Sequence, residues 1–377
     1  MLNNTLEKWE EKTLEEVLDK GSSNLSSNKL DNCDGEYPVY GASGLVKKVN
    51  FYQQDKEYLA IIKDGAGVGR VYHYEPKSSV LGTLQYLFPK ENINIRFAYY
   101  YLISLDFAKY YQGAAIPHIY YKDYKNEKLV LPPLPEQQRI VGILDEAFEN
   151  IEKAKQNTLQ NLNNAKELFE SYLTSILINK DDWDKKKLSE VCIDFGRGRS
   201  RHRPRNDKKL YGGQYPFIQT GDIRNSDHFI TEYTQTYNEV GLAQSKLWPK
   251  GTLCITIAAN IAETGVLTFD ACFPDSVIGC VFDETKTNID YVEYLLQSFK
   301  AILQAEGKGS AQDNINLGTF EKQYFPFPDK PTQDKIVNKL DNMRKNITNL
   351  EQIYTQKLQD LDELKQSILQ KAFKGEL

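Results

Sequence analysis

The stretch LPPLPEQQRIVGILDEA, Leu131–Ala147, runs from a proline cluster into an apolar run with helical spacing. A second version, PTQDKIVNKLDNM, occupies Pro331–Met343. Proline is tolerated in the first turn of a helix and not in its interior, so each junction marks where a helix begins. Sliding the chain against itself by 196 positions puts Pro135 on Pro331, Gln137 on Gln333, Ile140 on Ile336, Leu144 on Leu340 and Asp145 on Asp341. The match continues without a gap through Ile151 on Ile347, Leu162 on Leu358 and Leu173 on Leu369. The starts of the halves match at a shift of 174, with Trp9, Leu14, Glu16 and Val17 falling on Trp183, Leu188, Glu190 and Val191. The two shifts differ, so the interior of the second half is the longer one.

This order is variable domain, repeated helix, variable domain, repeated helix. Expected bounds are 1–133 and 181–330 for the domains and 134–180 and 331–377 for the helices. In the first helix Ile140, Leu144, Ile151 and Leu162 lie on one apolar stripe, and in the second Ile336, Leu340, Ile347 and Leu358 do the same. Both stripes carry an extra four-residue step, Thr158 to Leu162 and Tyr354 to Leu358, which is heptad-like packing with a shared stutter. The pattern predicts rods of roughly 60 Å that pack on each other in antiparallel fashion. The plainer alternative is two amphipathic helices, each packed on its own domain. An antiparallel pair would make a tandem repeat pseudo-two-fold, which fits the two-fold symmetry of a DNA backbone.

Outward from the helices, the domains read as mixed α and β. Tyr37–Val46 and Tyr58–Tyr74 read as strand, glycine turn, strand, and Ile95–Leu105 reads as a helix. Tyr215–Ile223, Gly251–Phe269 and Tyr291–Phe299 repeat that outline in the second half. The predicted fold class is therefore α+β: two globular domains joined by two long helices in an antiparallel coiled coil.

The chain has 377 residues, 40% hydrophobic and 26% charged, as expected of a soluble protein with more than one domain. No apolar run of about 18 residues exists and the N-terminus does not read as a secretory signal, so a cytoplasmic location is expected. Five scattered cysteines without C-x-x-C spacing predict neither disulfides nor a zinc site. The net charge of −5 alone speaks mildly against nucleic acid, but binding depends on where the charges sit.

They concentrate in GRGRSRHRPRNDKK, Gly196–Lys209, where Arg197, Arg199, Arg201, Arg203, Arg205, Lys208 and Lys209 face a single acid, Asp207. Arginines alternating with Gly, Ser and Pro predict an extended loop able to follow a phosphate backbone or reach guanine edges. A solvated loop is the alternative. Further candidates for DNA contact are Lys63 and Arg70 beside GAGVG, then Gln219, Thr220, Asp222 and Arg224 after YPFI. Gln85, His118, Gln312 and Asn314 lie near the domain ends. Asn and Gln can pair with adenine, although each such residue is more often a turn or cap.

Catalytic patterns are few. GAGVG (Gly65–Gly69) continues into RVYHY, which alternates as a strand does, so a hairpin outweighs a nucleotide loop. No G-x-x-x-x-G-K-[ST] loop is present, and no Asn- or Asp-Pro-Pro-aromatic sequence of amino-methylating enzymes. Asp275, Glu284 and Lys286 loosely match the carboxylate–carboxylate–lysine pattern of Mg²⁺ nucleases. That nuclease is kept as a competing function, with a purely architectural scaffold as a third.

With GAAIPHI…LVLPPLPEQQRIVGILD, YFPFPDKPTQDKIVNKLD and the ending LQDLDELKQSILQKAFKGEL in view, the whole chain resembles the specificity subunits of type I restriction–modification systems. It departs at Thr332 and Asp334, where the family prefers Glu and Gln, and at Ile116-Pro117-His118. The resemblance implies that each variable domain reads half of a bipartite double-stranded DNA site. It implies that the helices set the gap and dock two methyltransferase subunits, with restriction subunits as further partners. S-adenosylmethionine, ATP and Mg²⁺ would then reside on those partners, and this chain would hold no cofactor, no metal and no catalytic residue.

Overall fold

The computed structural model describes residues 9–113, 116–178, 182–226, 228–258, 262–308, 318 and 322–377, with backbone alone for 301–308. They fall into two compact units, Met1–Leu159 with Tyr354–Leu377, and Gln160–Ile353.

In the first unit β1 (Glu10–Thr13), α1 (Leu14–Val17) and β2 (Leu18–Ser22) lead into β3 (Asp34–Gly41) and β4 (Gly44–Val49). There follow β5 (Tyr58–Ile62), β6 (Val71–Tyr74), β7 (Ser79–Val80), β8 (Leu84–Pro89), α2 (Ile95–Ser104), α3 (Tyr121–Tyr124), β9 (Lys128–Leu131) and the start of α4 (Leu134–Leu177). The main sheet has the order β2-β8-β5-β6; a second has β4-β3-β7, and β1 pairs with β9. All five residues of β5, YLAII, are buried, as an unbroken apolar run in a central strand requires. The turn from β5 to β6 places Gly65, Gly67 and Gly69 at φ +90, +86 and +87, a region only glycine enters at no cost. GAGVG is thus a hairpin.

The second unit contains β10 (Asp184–Lys186), α5 (Leu188–Val191), β11 (Cys192–Arg197), β12 (Tyr211–Phe217), α6 (Thr220–Asn225), β13 (Phe229–Ile230), β14 (Gln235–Tyr237) and α7 (Glu239–Ala243). Next come β15 (Leu247–Trp248), β16 (Leu253–Thr256), β17 (Thr264–Leu267), β18 (Ala271–Cys272), β19 (Val277–Phe282), α8 (Ile289–Lys308), β20 (Phe325–Phe327) and α9 (Lys330–Phe373). Its sheets run β11-β19-β16-β17-β13 and β14-β12-β18-β15, with β10 paired to β20. After YPFI the chain turns into the short helix α6, where the first unit has the strand β4.

Each unit holds one end of α4 against part of α9, antiparallel. In the first unit Arg139 donates to the Leu377 carbonyl at 2.8 Å and Lys155 pairs with Asp362, so numbers rise along one helix as they fall along the other. In the second, Arg344 lies over the Phe169 ring at 5.5 Å and Lys166 meets Glu351 at 4.0 Å. The stripes do not pack on each other alone. Ile140 and Leu144 join Leu369 and Ala372 in the first domain's core, and Ile336 and Leu340 join Leu173 and Leu177 in the second's. Helix–helix and helix–domain packing are therefore combined. Ile151 and Ile347 are buried, while Leu162 and Leu358 are half-buried.

What the repeated junction encodes is a latch. Gln137 is fully buried; its Oε1 accepts from Asn94 N at 2.7 Å and its Nε2 donates to the carbonyls of Pro132 at 2.8 Å and Asn92 at 3.1 Å. Gln333 repeats this with Asn288 N at 2.9 Å, Pro328 O at 2.8 Å and Lys286 O at 3.5 Å. The two asparagines cap α2 and α8 through their side chains. About two turns further along each long helix, Asp145 accepts from the Tyr100 hydroxyl and Asp341 from that of Tyr294. The shared polar residues fasten a helix to its own domain, which is why they recur while the domains diverge.

Candidate nucleic-acid interface

The arginine loop of the second unit is folded, which corrects the expectation of an extended arm. It leaves β11 through Gly198, where a Cβ would lie 2.2 Å from the Phe273 carbonyl oxygen, so only glycine permits the approach. Asp275 then gathers two arginines: Arg205 donates to both carboxylate oxygens, at 2.7 and 2.9 Å, and Arg197 Nε to the backbone carbonyl at 2.6 Å. Arg203 turns back to the carbonyls of Ser200 and His202 at 2.5 and 2.9 Å. Asp207 caps the next turn; hydrogen bonds from the Lys209 amide and from His202 hold its carboxyl below the usual range. Lys209 also pairs with Asp207 at 3.2 Å. Arg199, Arg201 and Lys208 are exposed and have neither an ion pair nor a side-chain hydrogen bond among the described residues.

Beside this loop lie Gln219 and Thr220, which share with Arg205 and Lys208 the lining of a cavity of about 630 Å³. Asp222 is engaged within the protein. Its carboxylate accepts from the Gln219 backbone N at 2.8 Å and so caps α6. Arg224 is exposed in the last turn of the same helix.

In the first unit, the segment before α3 pairs with the glycine hairpin: Gly65 N donates to Pro117 O and Ile119 N to Lys63 O, at 3.0 and 2.9 Å. This brings Lys63, Asp64 and His118 together, with the Lys63–Asp64 pair at 3.5 Å and the His118 ring edge-on to Tyr120. Arg70 extends from the hairpin, exposed. Gln85 is a correction: it sits on β8 with its amide donated to the Gly21 carbonyl of the neighbouring strand. Gln312 and Asn314 lie outside the described residues.

The nuclease pattern does not assemble. Asp275 precedes β19 and Glu284 follows it, so six strand residues, roughly 20 Å, separate them. Asp275 is committed to Arg205, and Lys286 pairs with Asp283 at 2.9 Å. Hydrogen bonds from Thr285 and Lys286 hold the Asp283 carboxyl down to about 2, the mark of a capped surface turn. Among the described residues no group of three or more His, Cys, Asp or Glu could hold a metal, and no helix is long and apolar enough to cross a membrane.

Sequence reading missed a cluster in the second unit. His228, just before β13, places Nδ1 against the fully buried Glu293 and Nε2 at 3.2 Å from Asp290 on α8. Burial opposes its charge, but the hydrogen bonds and attraction of the two carboxylates outweigh this and raise its pKa to about 9. A lone histidine in a turn gives no sequence signal for such a clamp.

Comparison with known proteins gives concordant results. The family described as "Type I restriction modification DNA specificity domain" matches residues 6–161 and 180–359. The chain is 24% identical to a putative type I restriction enzyme specificity subunit, S.HindORF215P, of Haemophilus influenzae, over 81% of this chain and 80% of that one. It is 25% identical to the MjaVIII specificity subunit of Methanocaldococcus jannaschii, over 85% and 79%. Among solved structures, the HsdS subunit from Thermoanaerobacter tengcongensis shares its fold with a TM-score of 0.60 at 18% identity, covering 98% of this chain and 97% of that one. A chain from work on complex assembly and conformational transition of the type I R-M system gives 0.74, also at 18%, covering 98% of both.

Proposed function

We propose a function from one premise: the chain belongs to the type I restriction–modification DNA specificity family. As a specificity subunit it is a recognition component, not an enzyme. Each domain reads one half of a bipartite double-stranded DNA site, and the α4–α9 pair holds the two half-sites at a set spacing. The chain directs two methyltransferase subunits to that site, and restriction subunits join the same assembly. S-adenosylmethionine, ATP and Mg²⁺ are the cofactors of those partners. The expected setting is the cytoplasm, where such a complex meets DNA.

One observation carries this reading. The latch, cap and tyrosine–aspartate bond are built twice, but the surfaces they support differ: glycine hairpin, Lys63 and Arg70 in one unit, the pinned arginine loop in the other. A constant frame with two unlike polar heads is what recognition of two unlike half-sites requires. In the second unit Arg199, Arg201 and Lys208 supply phosphate contacts, and Gln219 pairs with a base edge. The test is selection of duplexes from a randomised pool by the chain assembled with its methyltransferase. Two short fixed blocks separated by unspecified bases are expected; one continuous block, or no enrichment, would overturn the reading.

A further inference from the structure

We propose that the cavity of the second unit is a nucleotide pocket, taking one unstacked base together with its phosphate. Its floor is Phe217, 5% exposed and stacked on Tyr237 at 4.0 Å, so the ring is held rigidly. The Tyr211 ring stands edge-on to it at 6.0 Å, with its hydroxyl donated to the Arg205 carbonyl at 2.7 Å. The part-exposed Tyr211 ring, backed by Phe217, is the aromatic surface on which a base of any kind stacks. Around it Gln219 and Gln235 present amides, each both donor and acceptor, as the edge of a base demands. An apolar occupant would leave those amides unpaired. Lys208 supplies an ammonium with no ionic partner among the described residues, while the charge of Arg205 is already met by Asp275. The rim is therefore positive by one uncompensated charge, which suits a phosphate. About 630 Å³ lies within the roughly 300–1,000 Å³ typical of small-molecule sites.

Among the described residues the first unit has no counterpart built from the same residue types. At the positions of Phe217 and Gln219 in the repeated YP strand it has Val39, buried in a small core with Leu30 and Val49, and Gly41. The pocket is a property of the second head. Two sources could fill it: an extrahelical nucleotide of bound DNA, which rests on the DNA-reading function, or a free nucleotide, which does not.

Calorimetric titration of the full chain with dAMP, dCMP, dGMP and dTMP tests it. At least one should saturate below roughly 10 mM, and its nucleoside should bind about tenfold more weakly. Lys208→Ala and Gln235→Ala, both at exposed positions, should each weaken binding by about fivefold. Lys250→Ala, an exposed lysine outside the cavity, should leave it unchanged. Displacement by a selected duplex identifies DNA as the source; persistence beside the duplex identifies a free nucleotide. No saturable binding, or equal affinity in the Lys208 and Gln235 variants, overturns the pocket. A chain that selects a duplex but binds no nucleotide loses the pocket and keeps the DNA reading. A chain that binds nucleotide but selects no duplex does the reverse.

Discussion

Replacing Gln137 with alanine should cost far more than removal of a polar side chain from a helix usually does. The amide joins three backbone groups, Asn94 N, Pro132 O and Asn92 O, at 2.7, 2.8 and 3.1 Å, and the residue is fully buried. Truncation leaves all three without their partner in a site closed to water. At about 1–3 kcal/mol for each unsatisfied buried group, and allowing for a water in the vacated space, the loss is about 3–5 kcal/mol. Gln333→Ala should cost less, because its third contact, to Lys286 O, is stretched to 3.5 Å. The assay is urea unfolding of the full chain followed by circular dichroism, read at the first transition because two units need not unfold together. Shifts below about 1 kcal/mol for both variants would refute the latch, since surface polar residues behave that way.

Three further outcomes are expected. Arg199→Ala and Arg201→Ala should each lower the slope of log affinity for DNA against log salt by about 1; unchanged slopes in fluorescence titrations would remove the loop from the interface. Arg203→Ala should instead raise protease sensitivity in Gly196–Lys209, because its guanidinium closes the loop onto Ser200 and His202. His228 has a folded pKa raised from 6.5 to about 9, so its stabilising contribution is complete below pH 6.5 and disappears as pH rises through about 9. His228→Asn should flatten the unfolding midpoint across that window, and an unaltered pH profile would contradict the clamp.

What the sequence disclosed and what it hid divide along sequence distance. The helices, the buried strand Tyr58–Ile62 and the glycine hairpin follow from local periodicity and turn chemistry, so their positions were legible. The repeat exposes the junction, whose prolines mark the helix start while its glutamine does the fastening. Gln137 meets Asn92 and Asn94 across more than forty residues, a link no window reveals. The arginine loop misled for the same reason: Asp275, which pins it, lies 70 residues from Arg205. Gln85 and Asp222 suggest a reading role by residue type alone, and their bonds to a neighbouring strand and at a helix start are invisible to any local pattern.

The spacing role proposed for the helices is open to one direct measurement. Deleting one heptad from α4 and the facing heptad from α9 shortens the pair by about 10 Å, or roughly three base pairs of DNA. Methylated positions are then mapped in cells that express either form with the partner methyltransferase. The account predicts two unchanged sequence blocks whose intervening gap is shorter by about that amount. An unchanged gap, or altered blocks, would contradict it.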